Sequence, residues 1–195
     1  MKSKRFTKNR IVSWQAGLIV VLIGLAMVAR LIPHVPNVAP VAAVALLGGA
    51  FLPGFWAVIV PVVAMGATDY LIGTYEWQVM AAVYGSFVLT VALGKWVGKK
   101  RRAGRIVLGS LAGSILFYLL TNWAVWQFGN WYPHTFDGLI QSYYYAIPFF
   151  RNTLFGDLMY ASGLFVMAEA TIKLTSYIMF NSEFQIPKKY PITNS

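Results

Sequence analysis

The chain has 195 residues, of which 58% are hydrophobic and 11% charged, with a mean hydropathy of +0.60. That balance excludes an ordinary water-soluble domain and points to one integral membrane domain. The net charge of +10 does not signal nucleic acid, because the basic residues border apolar segments and form no face with interleaved stacking aromatics.

In chain order, a basic start from Lys2 to Arg10 precedes an apolar run from Ile11 to Ala29, about as long as the roughly 20 residues that cross a bilayer. A cleavable signal peptide begins the same way, but further apolar segments follow at once, so the run reads as a retained first helix. The second segment, Val38 to Leu52, is short for a crossing at ~1.5 Å per residue. Pro33, Pro36 and Pro40 predict an extended approach to it, already below the surface. Pro53-Gly54 predicts a tight turn into a third segment, Phe55 to Ile72, with a kink at Pro61. A fourth runs from Val79 to Trp96, a fifth from Ile106 to Phe128 and a sixth from Arg151 to Thr171. Gly129 to Phe150 is too polar and interrupted to span, and predicts an outer stretch carrying an interfacial helix from Phe136 to Tyr145. The pairs Gly94/Gly98 and Gly109/Gly113, and the doublet Gly48-Gly49, predict close helix packing.

Fourteen of the sixteen Lys and Arg residues fall in three clusters: Lys2 to Arg10, Lys95 to Arg105, and Lys173 with Lys188 and Lys189. Cationic loops stay in the cytoplasm during insertion, so the expected fold is an all-α bundle of six transmembrane helices with both termini cytoplasmic. The division is then a basic cytoplasmic N-terminus at 1–10, a six-helix transmembrane domain at 11–171 and a cytoplasmic tail at 172–195, frayed from Asn181 onward.

With that orientation, Arg30, His34, Asn37, Asp69, Glu76, Asn122, His134, Asp137, Arg151, Asn152 and Asp157 all fall in the outer half. Charge inside a bilayer costs at least ~2.5 kcal/mol, so such residues turn toward a bundle interior or a watery cavity. An outward-open polar pocket follows. Aromatic residues gather at the same level, among them Tyr70, Tyr75, Tyr84, Trp126 and Tyr143, more densely than at the inner boundary. A symmetric interfacial belt would not produce that imbalance, so some of the rings should line a site for a flat, partly apolar ligand. Asp69 and Arg151 are expected to pair, and Asp157 to pair with Arg30 or Arg151. There is no cysteine, two loop histidines make a weak metal signal, and no catalytic spacing is present, which disfavours an enzyme.

The stretches Arg30-Leu-Ile-Pro-His-Val-Pro-Asn-Val-Ala-Pro, Asp69-Tyr-Leu-Ile-Gly, Val83-Tyr-Gly-Ser-Phe, Thr121-Asn-Trp and Pro148-Phe-Phe-Arg-Asn-Thr-Leu-Phe-Gly-Asp resemble a known family. They are similar, over about Arg30 to Ala168, to the small six-helix S components of energy-coupling factor (ECF) vitamin transporters. The likeness is greatest to the solitary cobalamin-transporting branch. It implies an S-component-like bundle in a bacterial cytoplasmic (inner) membrane, binding a vitamin from outside. It also implies cobalamin (vitamin B12) as the transported ligand, with no cofactor of the protein's own. The alternative is a smaller vitamin whose uptake needs a separate ATP-driven module. Docking on an ECF scaffold and its ATPases is disfavoured, because the small-residue spacing typical of the first helix is broken at Ala16/Val20, Gly17/Val21 and Gly24/Val28. The implied substrate-binding set is His34, Asp69, Tyr70, Tyr75, Met80, Tyr84, Asn122, Trp126, Tyr143, Arg151 and Asn152. That branch can place a cysteine on cobalt from the outer start of the fourth helix. Here Met80 occupies the region, as a weak thioether ligand to cobalt, a residue packed on the corrin ring, an ordinary packing residue or an altered site.

Overall fold

The computed structural model of the chain describes residues 2–33 and 35–184, with side chains from 15 to 178 except at 34. The described residues contain six helices and no strand: α1 (Lys2–Leu31), α2 (Val41–Phe51), α3 (Gly54–Ile72), α4 (Trp77–Gly98), α5 (Ala103–Phe128) and α6 (Phe136–Phe184). Of these, α3, α4 and α5 are long and apolar enough to cross a membrane, while the apolar part of α1 (Gln15–Leu31) and α2 are shorter. His34 and the end of the tail, 185–195, lie outside the described residues.

The short α2 is the centre of the molecule. Nine of its eleven residues are buried, all of them Val, Ala, Leu or Gly. With side chains this small, backbones approach closely where glycines face one another. A Cβ on Gly49 would stand 2.2 Å from the Val91 carbonyl oxygen, and one on Gly94 would stand 2.2 Å from that of Leu46. One turn on, a Cβ at Gly98 would meet Ala50 O at 2.8 Å, so α2 and α4 touch backbone to backbone. Gly109 and Gly113 make room on α5 for side chains of α4, Val97 and Thr90, which a Cβ would meet at 2.7 and 3.2 Å. The packing expected of these glycines is what they do. Around this centre α1 lies on α3, and α5 lies between α4 and α6.

Two expectations about local structure are corrected. The approach to α2 is turned, not extended: Val38 N–H donates to Val35 O at 3.0 Å, and Asn37 takes φ 63°. Asn tolerates that left-handed conformation better than most residues, which leaves Pro40 to cap α2. Likewise the interfacial helix Phe136 to Tyr145 and the segment from Arg151 are one continuous helix, running through Pro148 to Phe184. Proline forfeits one backbone bond, and neighbouring groups make up for it. Tyr118 of α5 braces the helix on both sides of Pro148, its hydroxyl donating to Tyr143 O at 2.7 Å and its ring stacking on Phe150 at 4.4 Å.

At the basic end of the bundle, Arg101 bonds Glu169 of α6 and lies 4.8 Å above the Phe51 ring, while Arg105 covers Trp96 at 4.9 Å. The α4–α5 connection therefore ties the ends of α2, α4 and α6.

A charged cavity between the helix ends

The last turn of α1 carries Arg30, a cation at a helix C-terminus, where the dipole favours it. Because α1 packs on α3, the guanidinium meets the end of that helix: Nη2 bonds Asp69 Oδ1 at 2.8 Å and Nη1 donates to Thr68 Oγ1 at 2.9 Å. From α4, the Tyr84 hydroxyl donates to Asp69 Oδ2 at 2.8 Å, so both carboxylate oxygens are satisfied. The pair is nearly buried, with side-chain exposures of 18% for Arg30 and 3% for Asp69. Such a pair persists when geometry and extra hydrogen bonds repay desolvation, and both are present. Tyr75, in the α3–α4 connection, lies beside it. Burial first, then the Asp69 carboxylate, push its phenol up to about 12, against a smaller lowering by Arg30.

These groups edge a cavity of about 320 Å³. Arg30, Asn37 and Tyr75 line it, together with Val41 and Ala42 of α2 and Phe87 and Phe117 of α4 and α5; Thr153 and Asp157 close it from α6. The Phe87 and Phe117 rings pack at 5.6 Å. Asp157 is 3% exposed and accepts a hydrogen bond from Ser114 Oγ at 2.7 Å. A second space of about 220 Å³ adjoins along Asn37, Phe117 and Thr153, and reaches Asn122 and Tyr118.

The residues expected at the site divide accordingly. Tyr75 lines the cavity, Asp69 and Tyr84 form the network behind it, and Asn122 lines the adjoining space while its Nδ2 donates to Tyr118 O at 2.8 Å. Asn152 does not line either space but reaches across to Pro36 O at 3.2 Å, tying α6 to the α1–α2 connection. Trp126 and Tyr143 hold structure together. The indole N–H is shared between the carbonyls of Pro133 and Thr135, and the Tyr143 hydroxyl donates to Leu119 O at 2.8 Å. Tyr70 points away, 85% exposed, and half-buried Met80 lies outside both spaces. His34 lies outside the described residues.

The expected pairings are also corrected. Asp69 pairs with Arg30 and not Arg151, because α3 packs on α1 and does not touch α6. Arg151 is exposed and makes no ion pair among the described residues. Asp157 faces Ser114 of α5, the helix beside α6, in place of either arginine. Sequence reasoning did not select Phe87, Phe117 or Thr153. Phe87 and Phe117 lie in apolar runs whose pattern does not distinguish a cavity wall from a packed core, and Thr153 is an uncharged neighbour of the more conspicuous Arg151 and Asn152.

The fold and cavity together define a helical protein with three helices suited to a membrane, enclosing a charged, aromatic-walled space near the α1–α2 and α3–α4 connections. The profile of a family of unknown function, DUF6580, matches residues 11–179, and the chain belongs to that family. No curated protein and no solved structure matches it.

Proposed function

We propose that this chain is a multi-pass protein of the bacterial cytoplasmic membrane that takes up a vitamin, binding it from the outside in the manner of an S component. In this reading α1 to α6 make six crossings, with the basic α4–α5 connection and both ends of the bundle in the cytoplasm. The site is then the cavity beneath the α1–α2 and α3–α4 connections. The observation that carries the reading is the cavity itself: a space of about 320 Å³, edged by the Arg30–Asp69–Tyr84 network and closed by a buried carboxylate. Buried charge around an open space is costly in a membrane and marks a solute path by default.

The volume favours a smaller vitamin over cobalamin, since pockets for drug-sized ligands run from about 300 to 1,000 Å³. A corrinoid, with its macrocycle, amide arms and nucleotide loop, exceeds that class and would require the α1–α2 connection to leave α6. A smaller vitamin also brings back the separate ATP-driven module as the energy source, with this chain as carrier and no chemistry of its own. The test has two arms. Purified protein is screened by thermal shift and equilibrium dialysis against cobalamin, riboflavin, thiamin, biotin and pantothenate. Uptake of whichever binds is then measured in a host with and without an energising module. Micromolar binding of one small vitamin, with uptake only beside the module, is expected; retained cobalamin instead would restore the corrinoid assignment. No binding across the set would remove the proposal.

A further inference from the structure

One acidic residue, Asp157, lines the cavity and a second, Asp69, stands in the network behind it; among the described residues only Asp69 has a cation. Asp69 is matched by Arg30, whose Nη atoms face Asp69 and Thr68. Asp157 stands on the wall formed by α6, 3% exposed, with the Ser114 hydroxyl as its hydrogen-bond partner and no ion pair among the described residues. A carboxylate offers about four acceptor positions, so most of its capacity is unspent. The first residues of α2 also line the cavity, but a helix N-terminus contributes only about half a positive charge. With Asp157 ionised, the described groups leave the space and the network behind it one negative charge in excess. A buried carboxyl with no partner of opposite charge either keeps its proton or is met by a cation that the site takes up. The rest of the wall suits the same partner, since Tyr75, Phe87 and Phe117 line it and aromatic rings attract cations.

We infer that the occupant is an organic cation, an alkylated ammonium or a cationic heteroaromatic ring, seated against the Phe87 and Phe117 wall with Asp157 as its counter-ion. The inference rests on the reading of the cavity as a solute site, and it sharpens it. Asp157 becomes the specificity determinant: it rejects anionic vitamins by like-charge repulsion at low dielectric and discriminates a cation from its neutral isostere.

The experiment uses the full chain in lipid nanodiscs and charge-matched probe pairs: thiamin with neutral 3-deazathiamin, and 1-methylnicotinamide with nicotinamide, with biotin and pantothenate as anions. At least one cation is expected to bind, its neutral isostere much more weakly and the anions not at all. Asp157→Asn should weaken the cation at least about 30-fold, the loss typical of removing one partner of a buried charged pair. The probe pairs keep the inference falsifiable on the unmodified protein even if that variant fails to fold. Equal binding of a cation and its neutral isostere, or of the cation by Asp157→Asn, would overturn it. Binding of only neutral or anionic vitamins would overturn it too, while leaving the solute site intact. Binding of no probe here and no vitamin in the wider screen would overturn both readings.

Discussion

Replacing Gly94 by Ala tests the centre of the architecture, because it adds one methyl where α4 meets α2 backbone to backbone. The new Cβ would stand 2.2 Å from Leu46 O and 2.9 Å from the Gly49 Cα, whereas ordinary contact begins near 3.4 Å. Neither neighbour is a side chain that can rotate away, so the helices must part by about 1.2 Å, the difference between 3.4 and 2.2 Å. A gap of even 0.5–1 Å forfeits about a quarter to a half of each dispersion contact, and overpacking of a tight core costs about 1–3 kcal/mol. With a backbone carbonyl as the obstacle we expect the top of that range, about 3 kcal/mol. At about 2–4 °C per kcal/mol for a chain this long, the midpoint should fall by roughly 6–12 °C. Thermal unfolding in detergent, followed through the seven tryptophans, measures it. Gly163→Ala is the control, since a Cβ there meets nothing within 4 Å. Because Phe87 on α4 and Val41 on α2 line the same cavity, the displacement should also weaken ligand binding. Equal midpoints for the two variants would refute the close approach.

Arg30→Met leaves the Asp69 carboxylate buried and should cost about 3 kcal/mol or more, whereas Arg30→Met with Asp69→Asn should recover much of it; additive losses in chemical denaturation would show that the two are not coupled. Asp157→Asn should raise the unliganded unfolding midpoint at pH 8 by a few degrees, about 1 kcal/mol or more, since it removes a buried charge and keeps an acceptor for Ser114; a lower midpoint would mean that an unseen cation already pairs with it. The Tyr75 phenol is raised from 10.0 to about 12, so the native state holds its proton after the unfolded chain has lost it. The stability it contributes is fully present below pH 10 and is lost as pH rises toward 12, with ∂ΔG/∂pH negative in that window. The tyrosinate absorbance of the wild type minus that of Tyr75→Phe should accordingly show a step near 12, and a step near 10 would show that partial desolvation and the Asp69 carboxylate do not hold the proton.

The sequence is most transparent where a property is local. Apolar length and the flanking basic residues place α3, α4 and α5 within a few residues of their observed bounds, and small-residue spacing locates the α2–α4 and α4–α5 contacts. It is opaque where the answer depends on which helices become neighbours. Arg30 and Arg151 are equally plausible partners for Asp69 along the chain, and only the docking of α1 on α3 decides between them. Pro148 reads as a break because its local cost is visible, while the compensation from Tyr118 comes from a different helix. The candidate site shows the same division: Asp69, Tyr75 and Tyr84 stand out as polar or aromatic residues at the right depth, whereas Phe87 and Phe117 have no local signature.

The unbroken length of α6 gives the molecule a lever. Its 49 residues extend to about 74 Å at 1.5 Å per residue, against about 30 Å for the apolar core of a bilayer. A 10° change in tilt about its midpoint would swing each end by about 6 Å in opposite directions, and tilt is among the least costly adjustments a helix makes in a membrane. Asn152, fastened to Pro36, and Glu169, fastened to Arg101, ride on the same arm at opposite ends of the bundle. Whatever loosens the Asn152–Pro36 fastening therefore moves the Arg101–Glu169 one as well, and the two ends of the bundle cannot be repositioned independently.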